Sequence, residues 1–312
     1  MTGIPEAFAR TTLEREGGQA QAWLDVLPGL VEDLLERWAA TVDGEPLHGG
    51  VALIVPVRRR CDDVAAVLKV SYPHPSNRHE PHALATWQGV GAVRLYERDD
   101  TRFAMLLERV RPVTLTEAEQ GDRVASVAGA LNRRLAVPAP YDMPRLQHRA
   151  ATWEQQLRAD DEALGHPLPP HVVGAALSTL HDLARDQPDL MVHGDLHGRN
   201  ILQADREPWL AVDPKGIAGD PAYDAGTLLK SRLPTLLDTD NLTAAAHRIL
   251  DAFAEAAELD HARAQRWAQL HAVQAAFSGR RHGFRRARNG PELQQLTTLV
   301  DRTAEVLTAS LR

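Results

Sequence analysis

Residues 191–215, MVHGDLHGRNILQADREPWLAVDPK, constrain this chain more than any other stretch. Asp195 is followed five places later by Asn200 and, after a short apolar run, by Asp213. Ile201-Leu202 and Leu210-Ala211-Val212 read as the arms of a tight β-hairpin with a charged tip, ADREP. Such a hairpin carries Asn200 and Asp213 toward each other, with Asp195 close by. Amide and carboxylate oxygens are hard ligands that suit Mg²⁺. A further carboxylate beside them is placed to orient and deprotonate a hydroxyl group. Phosphoryl transfer asks for this set, because it depends on positioned charge and a positioned nucleophile and needs little covalent help from the protein.

The N-terminal half supplies a second set. VALIVPV (51–57) and VAAVLKV (64–70) are apolar, β-branched runs separated by the polar RRRCDD, and they read as an antiparallel hairpin. Lys69 shares a strand face with Val67, so it either snorkels or reaches a buried anion. Glu80, eleven residues later, opens a predicted helix through Ala83, Leu84 and Trp87. A strand lysine held by the glutamate of the next helix is the kinase arrangement for gripping the α- and β-phosphates of ATP. A further strand at 103–107 leads into Glu108, where a kinase hinge would present backbone groups to adenine. No G-x-G-x-x-G precedes Val51, so residues 47–50 are left to cover the nucleotide as a short hairpin tip.

The pattern along the chain changes once. Residues 18–41 read as a packing helix, with Leu27, Leu30, Leu34, Leu35 and Trp38 at helical spacing. The strands follow, with one intervening helix, as far as Pro112. Beyond it helices dominate, at 153–164, 173–183, 242–258, 261–278 and 292–310. A first one carries Val124, Val127, Ala128, Leu131 and Leu135, with Thr114 and Glu117 as its capping box. The expectation is an α+β fold of two lobes: residues 1–111 with an antiparallel sheet and one key helix, and residues 112–312, mainly helical.

Composition narrows the partners. The chain has 312 residues and a formal net charge of −7, which argues against broad binding to nucleic acid and favours a cationic small molecule over an anionic one. Arg280, Arg281, Arg285, Arg286 and Arg288 form a basic cluster with no aromatic beyond Phe284, predicted to pair with the protein's own carboxylates. Asp160-Asp161-Glu162 is predicted to be a solvated helix face. The single cysteine, Cys61, excludes an intrachain disulfide framework and suits a reducing cytoplasm. No uncharged apolar window long enough for a membrane span is present. A monomer is expected.

HGDLHGRN, the downstream DPKG and the GDPAYD after it resemble the aminoglycoside phosphotransferase family of kinase-like enzymes, and within it the branch of streptomycin 6-phosphotransferases and hydroxyurea phosphotransferases. AVLKV at 66–70, His79-Glu80 with Trp87, and GAVRL at 91–95 extend the resemblance over roughly residues 40–230. It implies a bilobal protein-kinase-like fold, ATP and Mg²⁺, and transfer of the γ-phosphate to a hydroxyl of a small molecule, an antibiotic such as streptomycin. It also implies Asp195 as base, Asn200 and Asp213 as metal ligands, and Lys69 with Glu80 at the nucleotide. Gly194 stands where protein kinases carry the Arg of H-R-D, and Pro214-Lys215 where they carry the Phe-Gly of D-F-G. No activation loop fits after Asp213, which disfavours a protein substrate. His197, Lys215, Asp220 and Asp224 are the acceptor-side candidates, the two aspartates for a guanidinium or amine. The competing readings are a metabolic kinase of a sugar or amino alcohol and a nucleotide-binding pseudokinase.

Overall fold

The computed structural model describes residues 3–185, 187–284 and 287–311. Two compact units divide between Arg111 and Pro112.

The first unit begins with α1 (Glu6–Glu16) and α2 (Gln19–Arg37). The strands β1 (Ala40–Val42), β2 (Leu47–His48), β3 (Ala52–Arg59) and β4 (Ala65–Ser71) lead to α3 (Glu80–Trp87), then β5 (Leu95–Asp99) and β6 (Ala104–Glu108). They form an antiparallel sheet ordered β1-β3-β4-β6-β5, with β2 also paired to β3. The two-residue alternation of strands sorts the side chains. Leu53, Val55, Val57, Ala66, Leu68, Val70, Ala104 and Leu106 share one face and pack against Phe8, Leu27, Val31 and Leu34 of the first two helices. Each fully buried leucine there contributes roughly 1.5–3 kcal/mol. Lys69, paired with Ile54 and Met105, falls on the opposite face. Leu47 and His48 form a hairpin arm, with Leu47 opposite Ile54, and residues 49–50 lie in the turn that follows.

The second unit opens with α4 (Leu115–Ala118) and α5 (Asp122–Leu135), followed by α6 (Ala150–Ala163), α7 (Pro170–Asp182) and β7 (Leu190–Val192). Then come β8 (Ile201–Gln203), β9 (Trp209–Ala211), β10 (Ile217–Gly219), α8 (Tyr223–Arg232), α9 (Leu242–Ala257), α10 (His261–His282) and α11 (Gly290–Ala309). The capping box of Thr114 and Glu117 is present, but it caps the short α4 and not the longer helix expected after it. Gly121, at φ 57°, breaks the chain before α5. α5 approaches α9 closely because residue 129 is glycine: a Cβ there would sit 2.3 Å from the Phe253 carbonyl oxygen. β7 pairs with β10, and β8 with β9, both antiparallel. Among the described residues no helix is long and apolar enough to cross a membrane.

Candidate active site

The β8–β9 hairpin forms in the register its sequence implies, Ile201 opposite Ala211 and Gln203 opposite Trp209. One more rung, Val212 N–H to the Asn200 carbonyl at 2.9 Å, places Asn200 beside Val212 and so brings Asp213 next to it. Asp213 has φ 57°, a left-handed conformation that costs a non-glycine residue roughly 1–3 kcal/mol and must be held by its surroundings. His193 does part of that holding. Its Nε2 lies 2.9 Å from the Val212 carbonyl, while its Nδ1 accepts the Asp195 N–H at 3.3 Å and its own carbonyl accepts the Lys215 N–H at 2.7 Å. One buried ring therefore ties the segment of Asp195 to that of Asp213. Burial depresses its pKa to about 4, so the ring is neutral near pH 7 and Nε2 carries the donated proton.

Asn200 Nδ2 donates to the Asp195 carbonyl at 3.0 Å and to Asp195 Oδ2 at 3.4 Å. With its nitrogen so engaged, the asparagine has its oxygen left to offer, the donor a hard cation requires. Asp213 adds an exposed carboxylate one residue past the hairpin. These two oxygens, completed by nucleotide phosphates and water, fit Mg²⁺. No group of three or more His, Cys, Asp or Glu that could hold a metal is present among the described residues.

Beneath this loop sits Asp224, fully buried in the first turn of α8. It accepts the backbone N–H of Gly194 at 3.0 Å, that of Leu196 at 3.4 Å and the Thr227 hydroxyl at 3.3 Å. Burial pushes its carboxyl up to about 7 against the pull of those donors. Gly194 makes the fit possible, for it has φ 80° and a Cβ there would meet Ile217 Cδ1 at 2.9 Å. Asp220 is also buried: its Oδ2 pairs with Arg263 and accepts the Trp267 indole N–H at 2.6 Å, and its Oδ1 accepts the Ala222 N–H at 3.0 Å. The expectation that these two aspartates touch a cationic acceptor is therefore corrected. Both carboxylates face inward and are spent on the fold, Asp224 on the loop that carries Asp195.

The other residues singled out in the sequence are distributed as follows. His197 Nε2 lies 3.7 Å from Asp195 Oδ1, its Nδ1 is buried without a partner, and desolvation outweighs the Asp195 carboxylate to lower its pKa. Lys215 is half-buried, its Cβ beside Gly194, and does not line the cavity described below. In the first unit, Lys69 Nζ and Glu80 Oε1 are 2.5 Å apart, each residue 4% exposed. Burying two opposite charges together repays desolvation only with such close geometry. Glu108 ends β6, and both its N–H, given to the Arg94 carbonyl, and its Oε2, which accepts the Arg94 N–H, serve the sheet.

Asp195 and His197 open into a cavity of about 850 Å³ in the second unit. Arg199, Lys230, Arg232, His271, Gln274 and Ser278 are among its lining. Asp195 is the only carboxylate there among the described residues. Sequence reasoning did not single out Lys230, Arg232 or His271, for nothing in their spacing marks them. The acidic run is not a solvated face throughout: Asp160 is buried and paired with Arg281, while Arg280 makes a bidentate pair with Asp301 at 2.8 and 2.6 Å. Arg285 and Arg286 lie outside the described residues.

Residues 37–283 match the aminoglycoside/hydroxyurea antibiotic resistance kinase family. This chain belongs to that family. It is 37% identical over 276 residues to a streptomycin 6-kinase of Streptomyces glaucescens, covering 88% of this chain and 90% of the relative. To a hydroxyurea phosphotransferase of Kitasatospora aureofaciens it is 34% identical over 275 residues, covering 87% and 78%. Among solved structures it resembles an aminoglycoside phosphotransferase in ternary complex with ADP and hygromycin B, with a TM-score of 0.55, 13% identity, and 89% and 97% of the two chains covered. A choline kinase from Streptococcus pneumoniae also has a TM-score of 0.55, at 10% identity, with 91% and 99% covered. At those identities the structures establish the fold alone, which is α+β and kinase-like. For the family as for the fold, the expectation from HGDLHGRN and DPKG holds.

Proposed function

We propose that this family member is a cytoplasmic, monomeric enzyme that transfers the γ-phosphate of ATP to a hydroxyl group of an antibiotic-type small molecule. The observation that carries the reading is the convergence of Asp195, Asn200 and Asp213 on one loop and hairpin, with Asp195 opening into a cavity. Asp195 orients the acceptor hydroxyl and takes its proton as the oxygen–phosphorus bond forms and the bond to the ADP oxygen breaks. Asn200 and Asp213 would hold Mg²⁺, which would supply positive charge to offset that of the nucleotide phosphates. Lys69, held by Glu80, is assigned the α- and β-phosphates, and the chain just past Glu108 the adenine. His197, uncharged beside Asp195, leaves that carboxylate un-neutralised and free to act as base. Lys215 is assigned to charge near the γ-phosphate. Retention of every one of these polar groups favours an enzyme over a nucleotide-binding pseudokinase.

Release of ADP by the purified chain with Mg·ATP and a panel of streptomycin, hydroxyurea and neutral polyols tests the reading. At least one antibiotic is expected to raise turnover above the acceptor-free rate; a panel in which none does so would sink it. Asp195→Asn is expected to lose about 10²–10⁴-fold in kcat with little change in KM for ATP, because it removes the base and no phosphate contact. Wild-type turnover in that variant would remove Asp195 from its role.

A further inference from the structure

The cavity beside Asp195 runs along α10 and changes character on the way. At its near end His271 packs against α8, where a Cβ on Gly226 would stand 2.5 Å from the ring, and the next residue, Thr227, donates to the Leu196 carbonyl at 3.2 Å. That end therefore adjoins the loop of Asp195. Gln274, the next cavity residue of α10, is half-buried, and its side chain makes no hydrogen bond among the described residues. Roughly 12 Å beyond His271 along the helix axis, at about 1.5 Å per residue, the lining turns apolar at Gly279. Ala275, Gly279, Phe284, Leu296 and Val300 bring no polar side chain to this far end. Phe284 is set there by its own short turn. The Gly283 N–H donates to the Gly279 carbonyl at 2.9 Å, φ of Gly283 is 72°, and the Phe284 N–H donates to the Ala287 carbonyl at 2.7 Å. The chain thus doubles back after α10, and the ring lies on Gly279 in space that a Cβ at that position would occupy. Yet the ring is only half-buried, and it lines the cavity. An aromatic ring held in place and left partly bare is a surface for a ligand.

We infer that the acceptor is a glycoside of more than one ring: one ring brings its hydroxyl to Asp195 and a second lays its C–H face on Phe284, which makes Phe284 a specificity-determining residue. This assignment rests on the phosphotransfer reading and specifies its acceptor. The C–H bonds on one face of a sugar ring carry partial positive charge, which suits the negative face of an aromatic ring. A cavity of about 850 Å³ is in the range that encloses a drug-sized ligand, whereas an acceptor as small as hydroxyurea reaches Asp195 without touching Phe284. Gln274, between the two ends, is placed to hydrogen-bond the polar groups that link the rings. Selection is by reach along α10 and acts on charged and neutral glycosides alike.

Streptomycin, which has three rings, and streptidine, its single-ring aminocyclitol, are the probes. With the full chain and Mg·AMP-PNP, calorimetry is expected to give roughly tenfold or more tighter binding of streptomycin than of streptidine. In Phe284→Ala that advantage should fall to about threefold or less, with the affinity for streptidine unchanged, and Phe284→Tyr should keep it. Gly279→Ala, which puts a methyl group where the ring lies, should act as Phe284→Ala does; each variant is checked for a wild-type thermal melt. In turnover, Phe284→Ala should raise KM for streptomycin about tenfold, with kcat changed by about threefold or less. Equal binding of the two probes by wild type, an unchanged advantage in Phe284→Ala and Gly279→Ala, or an equal loss for both probes overturns the inference and leaves the kinase reading standing. So does ADP release stimulated by hydroxyurea when streptomycin does not bind. Streptomycin bound through Phe284 with no ADP release from any compound overturns the kinase reading alone. Absence of both binding and release overturns both.

Discussion

Asp224 never meets solvent, yet the loop of Asp195 hangs from it: two loop amides and the Thr227 hydroxyl donate to one carboxylate. The raised pKa of about 7 makes its effect on stability measurable. Folded, it keeps a proton that the unfolded chain loses near the ordinary carboxylate value of 3.8, so its contribution is full below about pH 4 and falls as pH rises toward 7. The buried His193 and His271 act with the opposite sign. Their pKa values are depressed to about 4 and about 3, so their contribution is present above 6.5 and is lost as pH falls through 6.5 toward those values. Asp224→Asn removes only the first effect. Its stability relative to wild type, from urea unfolding at a series of pH values, is expected to rise by roughly 1 kcal/mol per pH unit between about pH 4 and 7. A flat difference would mean that Asp224 is ionised throughout. The spacing of Asp195, Asn200 and Asp213 was legible because catalytic geometry is local to one loop and hairpin. Asp224 was read from the sequence as an acceptor-side residue, and its role beneath the loop was not legible because its partners lie 28 and 30 positions away in sequence.

Elements were readable where one face is buried and the other wet. α5, α9 and α11 show that division, and their apolar residues recur at helical spacing. α8 does not: Asp224, Ala225, Gly226, Thr227, Leu228 and Leu229 are all buried, so no alternation marks it. α1 escaped notice for the opposite reason, since only Phe8 and Thr12 are buried along it. Close helix packing also leaves little trace in a sequence, as at Gly129, where α5 meets the α9 backbone. Gly129→Ala forces a methyl group against the Phe253 carbonyl and is expected to cost about 1–3 kcal/mol of stability in denaturant unfolding. KM values should stay unchanged, for the contact lies away from Asp195. A variant as stable as wild type would show that the two helices can separate at no cost.

For the molecule as a whole, ligand binding and folding are linked. Mg·ADP at about 100 times its Kd is expected to raise unfolding stability by about 2.7 kcal/mol, and Lys69→Met should abolish most of that gain by removing the assigned phosphate contact. An equal gain in that variant would take Lys69 out of the nucleotide site. Net charge acts at this scale too, since a chain at −7 favours a cationic partner. Arg266 with Asp182, Arg263 with Asp220 and Arg281 with Asp160 show charges paired within the second unit.

The amino-acid sequence alone determined the kinase-like α+β fold, the loop of Asp195 and Asn200, the hairpin that carries Asp213, and the family, because each rests on short-range pattern: strand alternation, helical period and fixed spacing. Only the tertiary structure decided which charges line the cavity beside Asp195 and which are buried. That depends on how α8 and α10 pack around the loop. Packing turns Asp220 and Asp224 inward and Lys230 and Arg232 outward, though all four lie within thirteen residues of one another.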